Sequence, residues 1–310
     1  MKAQTAMEYL ITYGWAILII AVVIAVLFML NVFNPSTFLQ KASPGSCSVY
    51  RPGGPGTSFD ISTVGTCTND IPQYVAKFNG NNSYIQIPNN RLLNKDNITV
   101  SFWVNPSLYG NGKDGATTPT NSTWSSIIIG HGYIGMWWFE FRDNNALDFY
   151  VNASSNTGGT INTAVGVGNV FPNLNRWYMI TGVVSSNTNT SASIYIDGQL
   201  IDNNTFKGNI VTDNNNIIIG SGKGSNCTAD EYGGCFSGEI SNIQIYNTAL
   251  SAGDIKAIYQ EGIGGNPINL RYLAGWWQLN GNANDYGGNG YNGTGYGVMY
   301  ITNWEGGYSI

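Results

Sequence analysis

Hydrophobic residues follow two different patterns along the chain. Ile11 to Phe33 is an apolar run of 23 residues with no charged side chain and no proline. Leu, Ile, Val and Ala would occupy every face of a helix formed here, so the run has no amphipathic stripe. A run of this length can cross a bilayer as a helix. The sequence therefore predicts one long hydrophobic helix over residues 4–33.

From Tyr74 onward, apolar and polar residues alternate in short runs that Asn and Gly separate. This pattern is typical of a β-sandwich. Thr99–Val104 alternates as a half-buried strand does, and Asp197-Gly198 favours a hairpin turn. The predicted strands are Tyr74–Phe78, Tyr84–Ile87, Ile98–Val104, Ser126–Gly130, Gly135–Arg142, Ala146–Val151, Trp177–Ser185, Ser191–Ile196, Gln199–Asn203, Asn216–Ile219 and Gly238–Tyr246.

The region between these two patterns, residues 34–73, is predicted to be a connector without regular structure. Its prolines are Pro35, Pro44, Pro52 and Pro55, and they stand among Gly and Ser. The head that follows contains one predicted helix, Ser251–Glu261. Ser251 is a suitable N-cap residue, and Ile255, Ile258 and Tyr259 would share one face of the helix.

The start of the chain carries a short basic segment before the apolar run. Four residues stand at a characteristic spacing there: Gln4, Glu8, Tyr9 and Leu10. This arrangement resembles the processing site of archaeal type IV pilins, the class III signal peptide. The resemblance implies that residues 1–3 are a leader, which a prepilin peptidase removes between Ala3 and Gln4, while the helix stays on the mature chain.

Glu8 is the one carboxylate in this predicted helix, and an ionisable residue there is costly. In the pilin interpretation it pairs with the amine of processed Gln4, because a charge pair is less costly in an apolar setting than either charge alone. A secretory signal or a plain signal anchor is the alternative. A secretory signal normally has an apolar core of roughly 7–15 residues, and a plain anchor needs neither Gln4 nor Glu8.

Several groups of residues in the head follow one another in a familiar order. They are Ala76–Gly80 with Tyr84–Pro88, Ile98–Pro106, Arg176–Tyr178 with Tyr195–Gly198, Ile217–Gly220, and Phe236–Ile240 with Ile245–Asn247 and Ala249–Ile255. This order resembles the laminin-G and concanavalin A-like jelly roll. The resemblance covers roughly Tyr74 to Gly262, and it implies a mostly β head of two packed sheets over residues 74–310.

The C-terminal residues 272–310 depart from the order of that family. Leu273–Asp285 is similar to the family's first strand and turn, which normally precede the strand that ends in Phe78-Asn79-Gly80. The first and last strands of this fold are neighbours, so we expect a circular permutation in which the tail supplies the first strand. A truncated second repeat and a strand given to a neighbouring subunit are the alternatives.

Composition limits the partners of the chain. Charged residues make up 10% of the sequence and the net charge is −5, so there is no basic patch for nucleic acid.

Asn-x-Ser/Thr triplets, which accept N-linked glycans in exported proteins, are abundant. They begin at Asn81, Asn97, Asn121, Asn152, Asn189, Asn203, Asn226 and Asn292.

The chain has four cysteines, and an even number in an exported protein indicates disulfides. Pairing of Cys47 with Cys67 and of Cys227 with Cys235 is the simplest of three connectivities. The absence of a C-x-x-C motif, with His131 as the single histidine, argues against a zinc cluster.

Aromatic residues near the long loop Ser107–Ser125 are the candidates for stacking on sugar rings. They are Tyr109, Trp124, Tyr133, Trp137 and Trp138. Trp137 and Trp138 are adjacent on a predicted strand and face opposite sides of it. One of the two is therefore expected in the core.

No catalytic residues are predicted. A glycosidase needs two carboxylates roughly 5–10 Å apart, and Glu140–Asp143 has the wrong spacing with Arg142 between them. No nucleophile can be paired with His131 by motif. No cofactor is required either, although a structural calcium is an option. Asp285 matches the family's Asn-Asp turn, but Ser241 stands where the family often has Asp.

These features together predict a surface protein whose helix lies first in the membrane and then in a filament of copies of itself or related pilins. The lectin-like head would mediate adhesion, by binding glycans or cell surfaces. The alternative is a monomeric, membrane-anchored, lectin-like binding protein outside the cell.

Overall fold

The computed structural model describes residues 17–23, 48–49, 59–60, 72–108, 125–132, 135–142, 145–154, 160–168, 173–222, 234–304 and 308. Residues 17–23 form a helix, α1, inside the predicted hydrophobic helix; the rest of that prediction lies outside the described residues. Within these ranges, no helix is both long and apolar enough to cross a membrane. In the connector, β1 (Ser48–Val49) and β2 (Phe59–Asp60) pair antiparallel.

The head consists of short strands and a few helical turns. In chain order the strands are β3 (Val75–Asn79), β4 (Tyr84–Ile87), β5 (Ile98–Pro106), β6 (Ser125–His131), β7 (Trp137–Arg142), β8 (Leu147–Ser154), β9 (Thr160–Val167), β10 (Tyr178–Ser186), β11 (Asn189–Ile196), β12 (Gln199–Lys207), β13 (Ile217–Ile219), β14 (Gly234–Cys235), β15 (Ser237–Tyr246), β16 (Leu273–Trp277), β17 (Thr294–Tyr296) and β18 (Met299–Ile301). A helix, α2 (Ala252–Glu261), and a 3-10 turn, Leu270–Tyr272, lie between β15 and β16.

The strands of the head form two eight-stranded sheets. The first has the order β12-β11-β10-β5-β15-β3-β18, and β16 also pairs with β15. The second has the order β17-β4-β13-β6-β7-β8-β9, and β14 lies parallel to β6. The predicted mostly β sandwich is confirmed, and every strand predicted from Tyr74 to Tyr246 is present.

The alternating sequence pattern explains how the two sheets pack together. On β5, Ile98, Val100, Phe102 and Val104 all lie in the hydrophobic core between the sheets. Trp103 points away from that core and joins a second apolar cluster on the outer face of the first sheet. A strand buried on both sides in this way can only stand in the middle of a sheet, which is where β5 lies.

Helix α2 covers the outer face of the first sheet. Ile255 and Ile258 are buried there with Trp103 and Tyr246. Ser251 caps the helix as predicted: its hydroxyl accepts a hydrogen bond from the Asp254 amide at 3.2 Å, and the Asp254 carboxylate accepts one from the Ser251 amide at 3.1 Å. This reciprocal capping box fixes where the helix begins.

Strand β9 is missing from the sequence prediction. Half of the residues in its sequence, TINTAVGV, are apolar, but Thr, Asn and Gly interrupt them, and the segment lies among further Ser, Thr, Asn and Gly residues. It therefore resembles the surrounding loop. It forms by pairing along its whole length with β8 at the end of the second sheet. Strand propensity depends on such neighbours more than on the segment itself.

The C-terminal tail adds strands to both sheets of the same sandwich. β16 pairs with the second half of β15, β18 pairs with β3, and β17 pairs with β4. Trp277 is fully buried in the core between the sheets, whereas Trp276 is half-buried. The tail therefore completes the sandwich of its own chain and is not an orphan second repeat. Its origin in a circular permutation stays a prediction.

The two ends of the head are joined through Trp304. Its indole N–H donates to the Pro72 carbonyl at 2.9 Å, and its own carbonyl accepts from the Trp177 indole N–H at 3.0 Å. Trp304 and Trp177 are both buried and meet edge to face, with ring centroids 5.7 Å apart. Trp304, near the end of the tail, thus completes the second apolar cluster beside Pro72, where the chain enters the head.

We expect that deleting residues 272–310 will make the head aggregate or fail to fold, because it exposes the side of β15 and removes Trp277 from the core. Trp277→Ala alone should cost roughly 3–5 kcal/mol, a large part of a typical net stability of about 5–15 kcal/mol. Thermal melts and light scattering measure both effects. Met299→Ala, an exposed position of the same tail, is the control and should melt as the wild type does. A deletion variant that melts cooperatively at the wild-type temperature would contradict this.

Candidate functional site

The predicted sugar-stacking aromatics do not form one exposed group among the described residues. Trp137 is fully buried between the sheets, so its prediction as a glycan-stacking residue is wrong. The outward position on this strand belongs to Trp138, which is 6% exposed and stacks on Tyr150 with ring centroids 4.7 Å apart. Tyr109, Trp124 and Tyr133 lie outside the described residues.

The surroundings of Trp138 form a cross-strand ladder on the outer face of the second sheet. Trp138 donates from its indole N–H to Glu140 at 3.2 Å. Glu140 stands opposite Asp148, and Arg142 bonds Asp148 and donates to the Tyr150 hydroxyl at 2.9 Å. Burial raises the pKa of Asp148 and the nearby Glu140 adds to this, although Arg142 opposes it. Both carboxylates already have partners within the ladder.

Asp285, the predicted metal ligand, has a structural role in the tail. Its Oδ1 accepts hydrogen bonds from the amides of Trp276 at 3.0 Å and Gly287 at 2.7 Å. Its Oδ2 accepts one from the Tyr291 amide at 3.0 Å. Three backbone donors occupy this carboxylate and hold the turn against β16. Ser241, at the other position considered for calcium, donates to the Gln278 carbonyl at 3.2 Å.

A different polar group lies at one end of the sandwich. Strand β13 pairs with both β4 and β6, and the register places Ile217 beside Ile87 and beside His131. The antiparallel arrangement brings together the ends of β4 and β6 and the segment before β13. Asn89 and Asn94 follow β4, and Asp213 precedes β13. We call Asn89, Asn94, His131 and Asp213 the Asp213 cluster.

Contacts with Asp213 hold this cluster together. His131 is fully buried, and its Nδ1 lies 2.9 Å from Asp213 Oδ1, which also accepts from the Asn215 amide at 2.7 Å. The side-chain amides of Asn89 and Asn94 both donate to the Asp213 carbonyl. Burial on its own raises the pKa of the Asp213 carboxyl. The hydrogen bonds from His131 and Asn215 outweigh it, and the pKa lies below its ordinary value.

Several buried polar atoms of the cluster have no hydrogen-bond partner within the described part of the chain. They are Asp213 Oδ2, Asn89 Oδ1, Asn94 Oδ1 and His131 Nε2. Gly135 faces this group: a side chain there would begin 2.7 Å from Asp213 Oδ2. Buried polar atoms without partners are costly, and water molecules or the hydroxyl groups of a ligand are the groups that would satisfy these atoms. Carboxylate and amide oxygens suit both.

Sequence reasoning missed this cluster because its members are far apart in the chain. Asn94 and Asn89, which both bond to Asp213, stand 119 and 124 positions before it. His131 was recognised only as an isolated imidazole. One signal was available: the run Asp213-Asn214-Asn215-Asn216 stands directly before a buried strand. The described residues contain no group of three or more His, Cys, Asp or Glu that could hold a metal ion.

The remaining predicted sites are spread over the surface. Cys235 is disulfide-bonded, with its partner outside the described residues. Cys47, Cys67 and Cys227 also lie outside them, as do Ala3, Gln4 and Glu8, so the predicted pairing and processing stay predictions. Among the sequon residues, Asn81, Asn189, Asn203 and Asn292 are exposed and Asn97 and Asn152 are half-buried, whereas Asn121 and Asn226 are outside the described part.

Two packed sheets with a polar cluster at one end define a β-sandwich of the concanavalin A-like class. The profile of the Laminin_G_3 family, described as the concanavalin A-like lectin/glucanases superfamily, matches residues 79–256. This is more than half of the chain, and the chain belongs to that family. No curated protein shows a significant match.

Solved structures share the fold at low sequence identity. A Bacteroides ovatus protein described as carbohydrate-binding has 17% identity and a TM-score of 0.51, over 79% of this chain and 66% of its own, so this chain spans just under two thirds of it. A SAP-like pentraxin of Limulus polyphemus has 14% identity and a TM-score of 0.46, over 76% of this chain and 98% of its own. The botulinum neurotoxin serotype D binding domain has 19% identity and a TM-score of 0.41, over 61% and 42%.

The lowered pKa of Asp213 predicts how this cluster contributes to stability. A carboxyl whose pKa is lower in the folded state stabilises it in full above the ordinary pKa of about 4, and this contribution is lost as the pH falls through the folded pKa. Asp213→Asn should therefore lower the melting temperature more at pH 6 than at pH 3. Asp202→Asn, a carboxylate outside the cluster, is the control. An equal effect of Asp213→Asn at both pH values would refute the assignment.

Proposed function

We propose that the head is a carbohydrate-binding domain and that the Asp213 cluster is its ligand site. The observation that carries this proposal is the set of buried, unpartnered polar atoms on Asp213, Asn89, Asn94 and His131. A site that binds a small polar ligand needs a few well-placed polar groups in an otherwise rigid frame. The ends of three paired strands provide that frame.

Sugar hydroxyls match this set of atoms. Each hydroxyl both donates and accepts, so one group could donate to Asp213 Oδ2 and another could donate to an Asn carbonyl oxygen. His131 Nε2 adds a further polar position whose role depends on the tautomer of the ring. The similarity in fold to the Bacteroides ovatus protein supports the choice of carbohydrate as ligand class.

A binding role fits the described residues better than catalysis does. Glu140 and Asp148 are the two carboxylates that stand side by side on the second sheet, and each is bonded to a neighbouring side chain. A glycosidase needs two carboxylates that flank the scissile bond, and here Trp138 and Arg142 already bind these two. The calcium predicted at Asp285 stays a prediction, and the carboxylate of Asp285 already accepts three backbone amides.

The binding proposal is tested with the full-length protein on a glycan array, followed by titration with the best ligand. Asp213→Asn should weaken binding about tenfold, since a hydrogen bond to a charged group contributes about 1.5–3 kcal/mol. Asn94→Ala should weaken it as well. Asp285→Asn disturbs a carboxylate outside the site and serves as the control, with unchanged affinity in the folded protein. Unchanged affinity of Asp213→Asn would exclude the cluster as the site.

We also infer that the protein assembles into a pilus-like filament at the cell surface. All residues of α1 are apolar and exposed, with Ile17 67% and Ile20 58% exposed. A helix that is hydrophobic on all sides needs an apolar environment, which a membrane provides before assembly and neighbouring helices provide afterwards. Gln4 and Glu8 supply the pattern for leader processing and for a contact between subunits. Repetition of one heterologous contact gives an open helical array.

The filament proposal predicts a mature chain that begins at Gln4, which N-terminal mass analysis of the native protein measures. Glu8→Ala should still insert into the membrane, because the apolar run is unchanged, but should lose filaments in electron micrographs of whole cells. Thr12→Ala removes another polar group of the same helix and should leave filaments intact. An intact Met1, or wild-type cells that show only scattered single heads, would instead support the monomeric anchored protein.

A further inference from the structure

Strand β12 is the outermost strand of the first sheet. It pairs with β11 along one side, and none of the other strands in the described ranges pairs with its second side. Leu200 is 50% exposed and Ile201 is 40% exposed, and most of the strand is exposed up to Thr205. On this strand the amides of Asn203 and Thr205 donate to the side-chain oxygens of Asp202 and Asn204, at 2.8 Å each. Another strand would have to displace these side chains to pair along this edge.

Such an edge favours pairing between protein molecules unless something covers or interrupts it. The ladder between β11 and β12 contains a bulge at Ile201, between Ile194 and Tyr195 on the partner strand. Beyond the bulge the pairing is regular from Asp202 to Lys207. The edge carries one acidic residue near its middle and one lysine at its end, and neither stands beside Leu200. These features hinder pairing only in part, because an incoming strand can displace side chains that bond to their own backbone. A larger group on the edge would therefore add protection.

A glycan-acceptor triplet, Asn203-Asn204-Thr205, lies on this edge. All three residues are exposed. The register places Asn203 opposite Ser193 and Thr205 opposite Ser191, so both side chains are on the same face of the sheet. The Asn203 side chain makes no hydrogen bond to the described residues. Its side-chain amide and the Thr205 hydroxyl are therefore both accessible in the folded chain.

In each of the other triplets within the described residues, the Asn or the hydroxyl residue is less accessible. In Asn189-Thr190-Ser191 the Asn is exposed, but Ser191 is half-buried. Asn97 is half-buried, and its side-chain oxygen accepts from the Ser186 amide at 2.9 Å. Asn152 is half-buried with its amide oxygen out of contact with solvent. Ser83, the hydroxyl residue of the Asn81 triplet, is fully buried. The Asn292 side chain accepts from the Asp285 amide at 2.9 Å and so takes part in a turn.

We propose that Asn203 carries an N-linked glycan that protects the free edge of β12. The donor is a lipid-phosphate-linked sugar. The Asn203 Nδ2 forms a bond to the anomeric carbon, the bond from that carbon to the phosphate oxygen breaks, and the lipid phosphate leaves. A base of the transferase takes the amide proton. A second strand must approach to about 4.8 Å to pair, and a hydrated sugar chain at Asn203 prevents this approach.

The modification is tested on the full-length protein isolated from native surface membranes. Trypsin releases residues 177–207 as one peptide, which contains both Asn189 and Asn203. Electron-transfer fragmentation is therefore needed to localise the added mass. We expect the glycan mass on Asn203 in most of the protein. Unmodified Asn203 in the native chain would overturn the proposal.

The protective role is tested with variants expressed in the same cells and dispersed in detergent. Asn203→Gln and Thr205→Ala should both lose the glycan mass and shift the protein from monomer to larger species in light scattering. Thr205→Ser keeps the triplet and is the matched control, so it should keep both the glycan and the monomer. Thermal melts check that each variant is folded.

A second substitution separates edge pairing from other causes of association. Adding Ile201→Lys to Asn203→Gln places a charge on the edge, and this should restore the monomer without restoring the glycan. Asn203→Gln that stays monomeric, or aggregates that Ile201→Lys leaves unchanged, would show that the glycan does not protect β12. Neither result depends on whether the head binds carbohydrate or assembles through its helix.

Discussion

Strand β15 is the longest of the described strands. Both of its edges must be paired along its whole length for the head to be a closed sandwich. Its first half pairs with β3, and its second half has no neighbour on that side except β16. The tail that supplies β16 also brings Trp277 into the core and Trp304 over the outer cluster. Two otherwise separate apolar layers therefore depend on the last forty or so residues of the chain.

The same strand pairing determines where polar chemistry can occur. β13 is only three residues long, yet it joins β4 to β6 and so sets the positions of the loops at their ends. The Asp213 cluster lies where these loops meet, and its buried atoms are held by residues whose positions the sheet fixes. The Trp138 ladder and the Asp285 turn show the opposite case. There the polar groups form hydrogen bonds within the fold and stabilise it.

The two proposed functions belong to different parts of the chain, the N-terminal helix and the head. The apolar helix needs a lipid or protein environment, and the polar head has few charges with which to remain soluble. A glycan on β12 would add hydration at one free edge of the head. In this view carbohydrate has two roles: it is the ligand of the Asp213 cluster and a covalent part of the surface.

The sequence by itself determined the features that depend on near neighbours. Alternating residues located the strands from Tyr74 to Tyr246 other than β9 and β14, and Ser251 located the start of α2. It also showed that Trp137 and Trp138 face opposite sides. Only the tertiary structure decided which of them is buried, because that depends on which face of the second sheet meets the first. Asp213 and Asn94 are 119 positions apart, and no local pattern connects them. Strand register alone brings them together, whereas the three backbone amides bonded to Asp285 come from its own tail, within nine positions of it.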